Sequence, residues 1–441
     1  MHQALLVPEI LLDIFAHVNE SANLPSDEHN CERLLSQQSL ASLATTCKTF
    51  HEPAMDLLWA NIEELEPLLG CVTRLHPMIY CSDAGVIFPT ETYMFPRLQS
   101  LLWQVEAPNN IYLHLFLSQT LLFIYLSAIH PASKSFGTHC ASLEALTIGD
   151  AAEDLTADES LLLAETVRSC TQLTHLGCPP LEWEAWNHLS NLPTLIKLEI
   201  GSGSWPLDRH DLKFSPFLNV TILNFYFEMH VHVMPLAQAE QLFRALSRCN
   251  ASHTLEHIVI FSFDPDGDSD EEPFGNSLTA ITQFLDFTQL RTLGLVFENY
   301  PVYLDNDLLL EAMSSWPHIR YMTLANHQLR PPTITFRALF DGLRLCPHLD
   351  SLQLHIDAIH IDIDAETESF QHTSLQKFNV GFSNVEDVEA IARIIFSMLP
   401  CVEQVKHGNE DEWIKVNEHL KYLKSSAVPG RHITPEPAPT T

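Results

Sequence analysis

A short apolar phrase recurs along this chain and constrains the possible folds more than any other feature. Each copy holds an apolar residue, two variable residues, a second apolar residue, one variable residue and a third apolar residue. Successive copies lie roughly 22 to 35 residues apart, which predicts one irregular repeat array. The copies are Leu98/Leu101/Trp103, Leu121/Ile124/Leu126, Leu143/Leu146/Ile148, Leu173/Leu176/Cys178, Leu195/Leu198/Ile200, Val220/Leu223/Phe225, Leu255/Ile258/Ile260, Leu290/Leu293/Leu295, Ile319/Met322/Leu324, Leu349/Leu352/Leu354, Leu375/Phe378/Val380 and a degenerate Val402/Val405.

The spacing of the apolar positions predicts a stacked sheet. In an extended segment alternate side chains face opposite sides, so the last two apolar residues of each copy point inward together. The residue between them points outward. Stacking the copies buries a ladder of apolar side chains that no single copy could bury alone. The phrase is the core of a leucine-rich repeat.

Helical patterns separate the copies. Thr156 and Glu159 have capping-box spacing ahead of an apolar pattern at helical intervals. Similar patterns span 235–249, 276–287, 307–316, 336–346 and 385–399. Proline opens many of the phrases, where it ends a helix and starts an extended run. These prolines are Pro96, Pro193, Pro317, Pro347 and Pro400.

We therefore predict an α/β fold, in which a small N-terminal helical module precedes an irregular, leucine-rich-repeat-like solenoid. The solenoid has a parallel concave sheet and outer helices. The predicted boundaries are 1–62 for the module, 63–424 for the solenoid and 425–441 for a Pro/Thr-rich disordered tail. An ordinary α/β sheet with helices on both faces is the alternative, although its strands are usually unbroken apolar runs.

Residues 1–60 lack the phrase and show helical patterns instead. Val7-Pro8-Glu9-Ile10 begins the first pattern, because proline suits the first turn of a helix. After a polar stretch the apolar pattern resumes at Leu40 and Leu43 and continues to Cys47 and Phe50. Leu57-Leu58-Trp59 closes the segment.

This order of residues resembles an F-box. That family begins with a Leu-Pro-x-Glu-Ile phrase, continues through a Leu…Leu…Cys/Val-Arg/Lys-x-Trp/Phe segment and often ends in Leu-Trp. Here Val7 replaces the usual Leu, Phe50 stands where Trp is common, and 19–36 forms a longer insert. The resemblance covers about 60 residues, and its pairing with a leucine-rich array resembles many fungal F-box proteins.

The resemblance implies docking onto a Skp-type adaptor and, through it, onto a cullin ubiquitin ligase. Docking of this kind places apolar helical side chains in a hydrophobic groove, where a few anchors carry most of the energy. The alternative is that the helical segment only caps the first repeat of the solenoid. The candidate anchors are Pro8, Ile10, Ile14, Leu40, Leu43 and Trp59.

The charge balance disfavours two classes of partner. The chain has 56 acidic and 23 basic residues, a formal net charge of -33. Such a chain repels phosphate backbones and anionic membrane surfaces, so we expect neither nucleic acid nor membrane as a partner. The excess of acid is explained by solubility or by a basic partner protein.

The cysteines and the apolar segments favour the cytoplasm or the nucleus. None of the 10 cysteines forms a C-x-x-C pair or has zinc-finger spacing, and several occupy apolar positions as small hydrophobes. The opening residues lack the pattern of a signal peptide. The apolar stretch 111–129 is long enough to span a membrane, but polar residues interrupt it and a repeat copy explains it better.

No catalytic motif appears, so we expect neither an enzyme nor a cofactor. The chain lacks a Gly-rich phosphate loop, a G-x-S-x-G elbow and an H-E-x-x-H helix. The pair His230 and His232, and the histidines and aspartates of 355–364, would bind a metal only if they converged in space. We expect no metal site there. The acidic stretch 264–273 has its glycine misplaced for a calcium loop and is predicted to be a solvated loop.

Together these features predict a substrate-receptor subunit of a Skp–cullin–F-box ubiquitin ligase, whose concave sheet face binds an unknown target protein. Two alternatives stay open. One is a leucine-rich-repeat interaction scaffold without a ligase link, and the weaker one is an enzyme on an α/β scaffold. The candidate target-binding residues are Tyr226, His257, Phe261, Tyr321, Thr323, Gln353, His355, Lys377 and Asn379.

Overall fold

The computed structural model describes most of the predicted repeat region and a few residues ahead of it. The chain forms two compact units, Met1–Ala185 (unit 1) and Trp186–Thr441 (unit 2). The described residues are 42, 50–51, 54–55, 61–62, 97–103, 113–114, 116–149, 155–201, 219–228, 236–248, 250–263, 278–297, 302–326, 333–365, 367–408 and 411–426.

Unit 1 contains five short parallel strands that pair in chain order. They are β1 (Asn61–Ile62), β2 (Ser100–Trp103), β3 (Phe123–Leu126), β4 (Ala145–Ile148) and β5 (His175–Cys178). A 3-10 turn (Pro131–Ser135) and α1 (Phe136–His139) lie between β3 and β4, and α2 (Ala157–Ser169) precedes β5. The helix α3 (Trp183–Ser190) follows β5 in the chain.

Unit 2 continues the same alternation. Its strands are β6 (Lys197–Ile200), β7 (Ile222–Glu228), β8 (His257–Phe263), β9 (Thr292–Phe297), β10 (Tyr321–Asn326), β11 (Ser351–Gln353), β12 (Lys377–Asn379) and β13 (Val405–Lys406). Its helices are α4 (Leu236–Ser247), α5 (Ala280–Phe284), α6 (Asn306–Ser315), α7 (Phe336–Leu345), α8 (Val388–Met398) and α9 (Asp411–Ser426), and a 3-10 turn spans Asn250–His253.

The registers confirm the predicted repeat. In unit 1 the middle apolar residues of four phrases align across neighbouring strands, Leu101 with Ile124, Leu146 and Leu176. In unit 2 the same position aligns through Leu198, Leu223, Ile258, Leu293, Met322, Leu352, Phe378 and Val405. Every described apolar side chain of the phrases is at most 6% exposed.

A second repeated feature holds these registers. In nine phrases the carbonyl of the residue after the first apolar position accepts two N–H bonds from the following phrase. The Arg291 carbonyl, for example, accepts from Arg320 N–H at 2.8 Å and Tyr321 N–H at 3.0 Å. A one-residue slip would turn the apolar set outward, so the bonds and the apolar ladder favour the same register. The nine carbonyls belong to Gln99, Leu122, Glu144, Ile196, Thr221, Glu256, Arg291, Arg320 and Asp350.

The parallel strands in strict chain order make each unit part of an α/β solenoid of the leucine-rich-repeat kind. A doubly wound sheet, the alternative fold, reverses its strand order at a switch point, and neither unit does so. The apolar stretch 111–129 contains β3, and its Ile124 and Leu126 are buried in the ladder. In the described part of the chain no helix has the length and apolarity needed to cross a membrane.

The predicted helices form where capping and proline signals bound them. Thr156 accepts from Glu159 N–H at 3.3 Å and donates its own N–H to the Glu159 carboxylate at 2.9 Å, which confirms the capping box. The helices α6, α7 and α8 end at the residue two before Pro317, Pro347 and Pro400. The helix predicted over 276–287 is shorter than expected, because among its described residues, 278–287, only Ala280–Phe284 is helical.

The last helix, α9, covers the end of the array. Its apolar side chains Trp413, Val416 and Leu420 are fully buried. The Asn417 side chain accepts from Val405 N–H at 2.8 Å and donates to the Val405 carbonyl at 2.9 Å. These bonds occupy backbone groups of β13 that a further strand would otherwise pair with, and exposed sheet edges promote association. The helix therefore acts as the terminal cap that a repeat array requires.

The buried thiols behave as small hydrophobes. Among the described residues Cys140, Cys170, Cys178 and Cys346 are buried and Cys401 is exposed, and none of the five forms a disulfide. Burial raises the pKa of Cys140 to about 12, of Cys170 to about 11 and of Cys346 to about 12. These thiols stay protonated at neutral pH and are poor nucleophiles.

Candidate functional site

The solvent-facing side chains of unit 2 fall into two rows that follow from the phrase. We call these two rows the strand face. The first row holds the residue before the middle apolar position, and it runs through Lys197, Ile222, His257, Thr292, Tyr321, Ser351 and Lys377. The second row holds the residue after it, and it runs through Glu199, Asn224, Val259, Gly294, Thr323, Gln353, Asn379 and Lys406.

Six of the nine predicted target-binding residues lie on the strand face. His257, Tyr321 and Lys377 belong to the first row, and Thr323, Gln353 and Asn379 belong to the second. Tyr226 and Phe261 pair with each other farther along β7 and β8, and Phe261 is half-buried. The side chain of Tyr226 lies outside the described set. The ninth residue, His355, follows β11 and is half-buried.

Ion pairs line the edge where the strands begin. The Arg291 guanidinium lies 2.9 Å from the Glu256 carboxylate. The Arg320 Nε donates to the Asp350 carboxylate at 2.9 Å, and its guanidinium stacks on Tyr321, 5.9 Å from the ring centroid. These positions carry no residue that we predicted to bind a target. Each arginine is about half exposed, so both pairs are accessible to a partner.

His257 is a hydrogen-bonding group on this face. Its Nδ1 lies 2.9 Å from the Thr292 hydroxyl. Burial lowers the pKa of His257, the Arg291 charge acts in the same direction, and Glu256 opposes both. The imidazole is therefore neutral at neutral pH, and it offers a partner a dipole and one apolar ring face instead of a charge.

The turn after β12 is fitted to His355. Gly381 has a φ of 57°, in the left-handed region, and its N–H donates to the Asn379 side chain at 3.0 Å. A Cβ at this position would lie 2.1 Å from His355 Nε2. The His355 ring also meets Phe382 edge to face, with the ring centroids 6.3 Å apart. His355 is therefore held between the turn and Phe382.

We predict that Gly381→Ala lowers the free energy of unfolding by about 2 kcal/mol, since a left-handed non-glycine residue is strained and the new methyl displaces the His355 ring. Urea unfolding of the full chain measures the loss. Gly294→Ala is the matched control, because its Cβ would meet Val259 at 3.4 Å, an ordinary contact. Equal losses in the two variants would contradict the prediction.

Two aspartates of the cluster 355–364 pair with other protein groups. The Asp357 carboxylate pairs with His360 Nδ1 at 3.0 Å, and the Asp362 carboxylate accepts from Arg337 N–H at 2.9 Å. Within the described ranges no group of three or more His, Cys, Asp and Glu side chains is placed to hold a metal ion. His230, His232 and the acidic stretch 264–273 lie outside the described residues.

A groove of about 930 Å³ lies between α8, the end of α9 and the segment 361–371. Ile361, Ile394 and Leu423 give it an apolar lining. Its two basic side chains are already engaged, because Lys424 donates to the Val402 carbonyl at 2.6 Å and Arg393 pairs with Glu389 at 2.7 Å. The other polar side chains of the lining are Asp364, Gln371 and Ser397.

The predicted docking anchors Pro8, Ile10, Ile14, Leu40, Leu43 and Trp59 all lie outside the described residues. The five residues described between 42 and 55 are helical; Ser42 is exposed and Ala54 is fully buried. A few residues farther on, β1 pairs with β2, Asn61 opposite Ser100. The N-terminal segment therefore leads directly into the first rung of the sheet.

Residues 8–64 match the family model described as F-box-like. The chain carries an F-box-like domain. The matched range contains β1, so the F-box-like domain ends within the strand ladder. A comparison with curated proteins gave no match.

Among solved structures, an internalin from Listeria monocytogenes aligns with a TM-score of 0.37 and 14% sequence identity. The alignment covers 68% of this chain and 76% of that chain. A TM-score this low does not establish a common fold. The leucine-rich-repeat-like architecture behind the F-box-like domain rests instead on the strand order and registers of this chain.

Proposed function

We propose that the protein is the target-binding subunit of a Skp–cullin–F-box ubiquitin ligase. The observation that carries this proposal is the F-box-like match at 8–64, which is continuous with the first strand of a repeat array. In this role the F-box-like domain docks onto a Skp-type adaptor through Pro8, Ile10, Ile14, Leu40, Leu43 and Trp59. The solenoid then binds a target protein.

The target is bound through the strand face and the residues that border it. Tyr321, which is 44% exposed, supplies a large amphipathic side chain of the kind that dominates protein interfaces. Thr323, Gln353 and Asn379 beside it are half-buried and supply hydrogen-bonding groups on short or planar side chains. Tyr226, His257, Phe261, His355 and Lys377 complete the predicted surface.

The protein performs no bond chemistry in this role. It holds the target near the ligase and so converts a bimolecular encounter into an effectively intramolecular one. The cytoplasm and the nucleus are the compartments we assign to it, because the five described cysteines form no disulfide and a cullin ligase acts there. The domain boundaries 1–62, 63–424 and 425–441 are part of the same proposal, although α9 runs through Ser426.

Capture on a purified Skp-type adaptor tests the docking step. We expect the intact chain to be retained, and Leu43→Asp to weaken retention by ~100-fold or more, since a charge in an apolar hot spot costs several kcal/mol. Leu161→Asp is the matched control, because Leu161 on α2 is already 47% exposed and lies in the repeat array.

Circular dichroism and urea unfolding establish that both variants stay folded. The docking proposal is supported if only Leu43→Asp releases the adaptor. Failure of the intact chain to bind the adaptor would remove the ligase role and leave an interaction scaffold. Equal loss in the two variants would show that the effect is not specific to the F-box-like domain.

A further inference from the structure

The strand face differs in charge from the rest of the protein. The whole chain has a net charge of -33. The two rows of the strand face contain Lys197, Lys377 and Lys406 and one acidic residue, Glu199, a formal balance of three minus one, or +2. Lys197 is paired with Glu199 at 3.0 Å. The uncompensated positive charge is therefore concentrated at the end of the array, on Lys377 and Lys406.

Lys377 and Lys406 are exposed diagonal neighbours on β12 and β13. Asn379 lies opposite Lys406, and Lys377 is two residues before Asn379. The spacing between strands and the rise along a strand therefore place the Cα atoms of the two lysines roughly 8 Å from each other. Among the described residues neither lysine has a carboxylate within ion-pair distance. Glu403, exposed at the rim before β13, is the nearest acid in sequence.

The neighbouring strands present hydrogen-bonding groups beside this charge. Ser351 and Tyr321 continue the row of Lys377, and Gln353 and Thr323 continue the row of Asn379 and Lys406. Asp350 is the acidic side chain closest to these rows on β11, and it is neutralised by Arg320. A segment lying across β10–β13 would therefore meet hydroxyls and amides on one side and two ammonium groups on the other.

The net charge of the whole chain is explained by solubility or by a basic partner, but it does not decide what binds here. At physiological ionic strength the Debye length is about 8 Å, so charges on distant elements are largely screened. A bound carboxylate within a few ångströms of Lys377 and Lys406 is governed by those two charges. Local complementarity selects an acidic ligand at this place.

We infer that the β10–β13 part of the strand face binds an acidic, extended segment of the target protein, with Lys377 and Lys406 contacting its carboxylates and Gln353 and Asn379 its backbone. This inference rests on the proposed function only in taking the strand face as the target-binding surface.

Fluorescence anisotropy with the full-length chain tests it. The probe is a labelled peptide in which glutamate alternates with serine, and its partner probe has glutamine in place of every glutamate. We expect the glutamate peptide to bind and the glutamine peptide to bind at least ~10-fold more weakly. Raising the salt concentration above the physiological level is expected to weaken the binding of the glutamate peptide.

The decisive variant is Lys377→Glu with Lys406→Glu, which is expected to lower the affinity for the glutamate peptide by ~10-fold or more. Lys377→Gln with Lys406→Gln is expected to give an intermediate loss of affinity. The matched control is Lys415→Glu with Lys421→Glu. It makes the same change in net charge at two exposed positions of α9 and leaves the strand face intact. The control is expected to bind the peptide as the unmodified chain does.

Any one of three results would overturn the inference. The first is that the glutamine peptide binds as well as the glutamate peptide, and the second is that the α9 control loses as much affinity as the strand-face variant. The third is that the glutamate peptide binds only after the acids of 264–273 are neutralised. The last result would assign the face to this chain's own acidic stretch. Capture of the Skp-type adaptor is measured on the same samples, so that loss of adaptor binding reports failure of the proposed function and not of this inference.

Discussion

Trp413→Ala is expected to lower the free energy of unfolding of unit 2 by about 3–5 kcal/mol. The Trp413 ring is fully buried, and its Nε1–H donates to the Ser383 carbonyl at 2.6 Å. Alanine leaves a cavity and an unsatisfied buried carbonyl, both of which are costly. Because the ring anchors α9, its loss also loosens the cap over β13.

Hydrogen exchange measures the second effect. The Val405 N–H donates to Asn417 of α9, so it exchanges faster in Trp413→Ala if the helix detaches. Ile414→Ala is the matched control, since Ile414 is the neighbouring apolar residue on α9 and is 50% exposed. We expect the control to change stability by less than about 1 kcal/mol. Unchanged exchange at Val405 in Trp413→Ala would contradict the capping role.

Trp316→Ala is expected to cost a similar amount, about 3–5 kcal/mol. Trp316 is fully buried after α6, and its Nε1–H donates to the Phe284 carbonyl at 3.0 Å. The equivalent position, just before the proline, holds Cys346 in the next repeat and Leu399 near the end. The position is thus apolar in these three repeats, whereas the repeat of Leu375 has the buried His372 there.

A graded series separates volume from hydrogen bonding at Trp316. Trp316→Phe keeps most of the ring volume and leaves the Phe284 carbonyl without its donor, so we expect a loss of about 1–3 kcal/mol. Leu345→Ala is the control, as Leu345 is 42% exposed at the end of α7. Urea unfolding is followed by far-UV circular dichroism, which does not rely on tryptophan fluorescence and gives the free energy of unfolding of each variant. A Trp316→Ala loss no larger than that of Leu345→Ala would refute the packing argument.

The strands were predictable because the same apolar phrase recurs at each of them. Each copy specifies which two residues are buried, and the middle residue of every copy then falls in one register from Leu198 to Val405. Proline marked the helix ends at Pro317, Pro347 and Pro400 for a local steric reason. A signal of this kind lies within one segment of the sequence, so it can be recognised without knowledge of the tertiary structure.

Features that depend on distant partners were not predictable in the same way. The helix α9 has an apolar pattern at Trp413, Val416 and Leu420, but its capping role depends on Asn417 bonding Val405, twelve residues away. The helices α1 and α3 were missed because they have only four and eight residues, which is too short to show a helical period. Within the candidate site, the contact of His355 with Phe382 requires the turn at Gly381, whose left-handed conformation no spacing indicates.

Lys406 could have been found from the sequence. It follows Val405, the middle apolar residue of the degenerate last copy, and so occupies the outward position that Gln353 and Asn379 hold in the preceding copies. The missing third apolar residue in that copy concealed the equivalence. Arg291 and Arg320 were missed for another reason, since their repeat position was treated only as one of the two variable residues of the phrase.

The bonds from Asn417 to Val405 restrict how an array of this kind can change length. Both backbone hydrogen-bonding groups of Val405 are already satisfied by a side chain of the same polypeptide, so an extra repeat added beyond residue 406 would have to displace Asn417. Duplication of an internal strand–helix pair meets no such obstacle, because each new strand offers the next strand the same backbone groups and apolar face as the strand it follows. Growth and loss of repeats in relatives of this chain should therefore occur in the interior, with the final helix carried along unchanged.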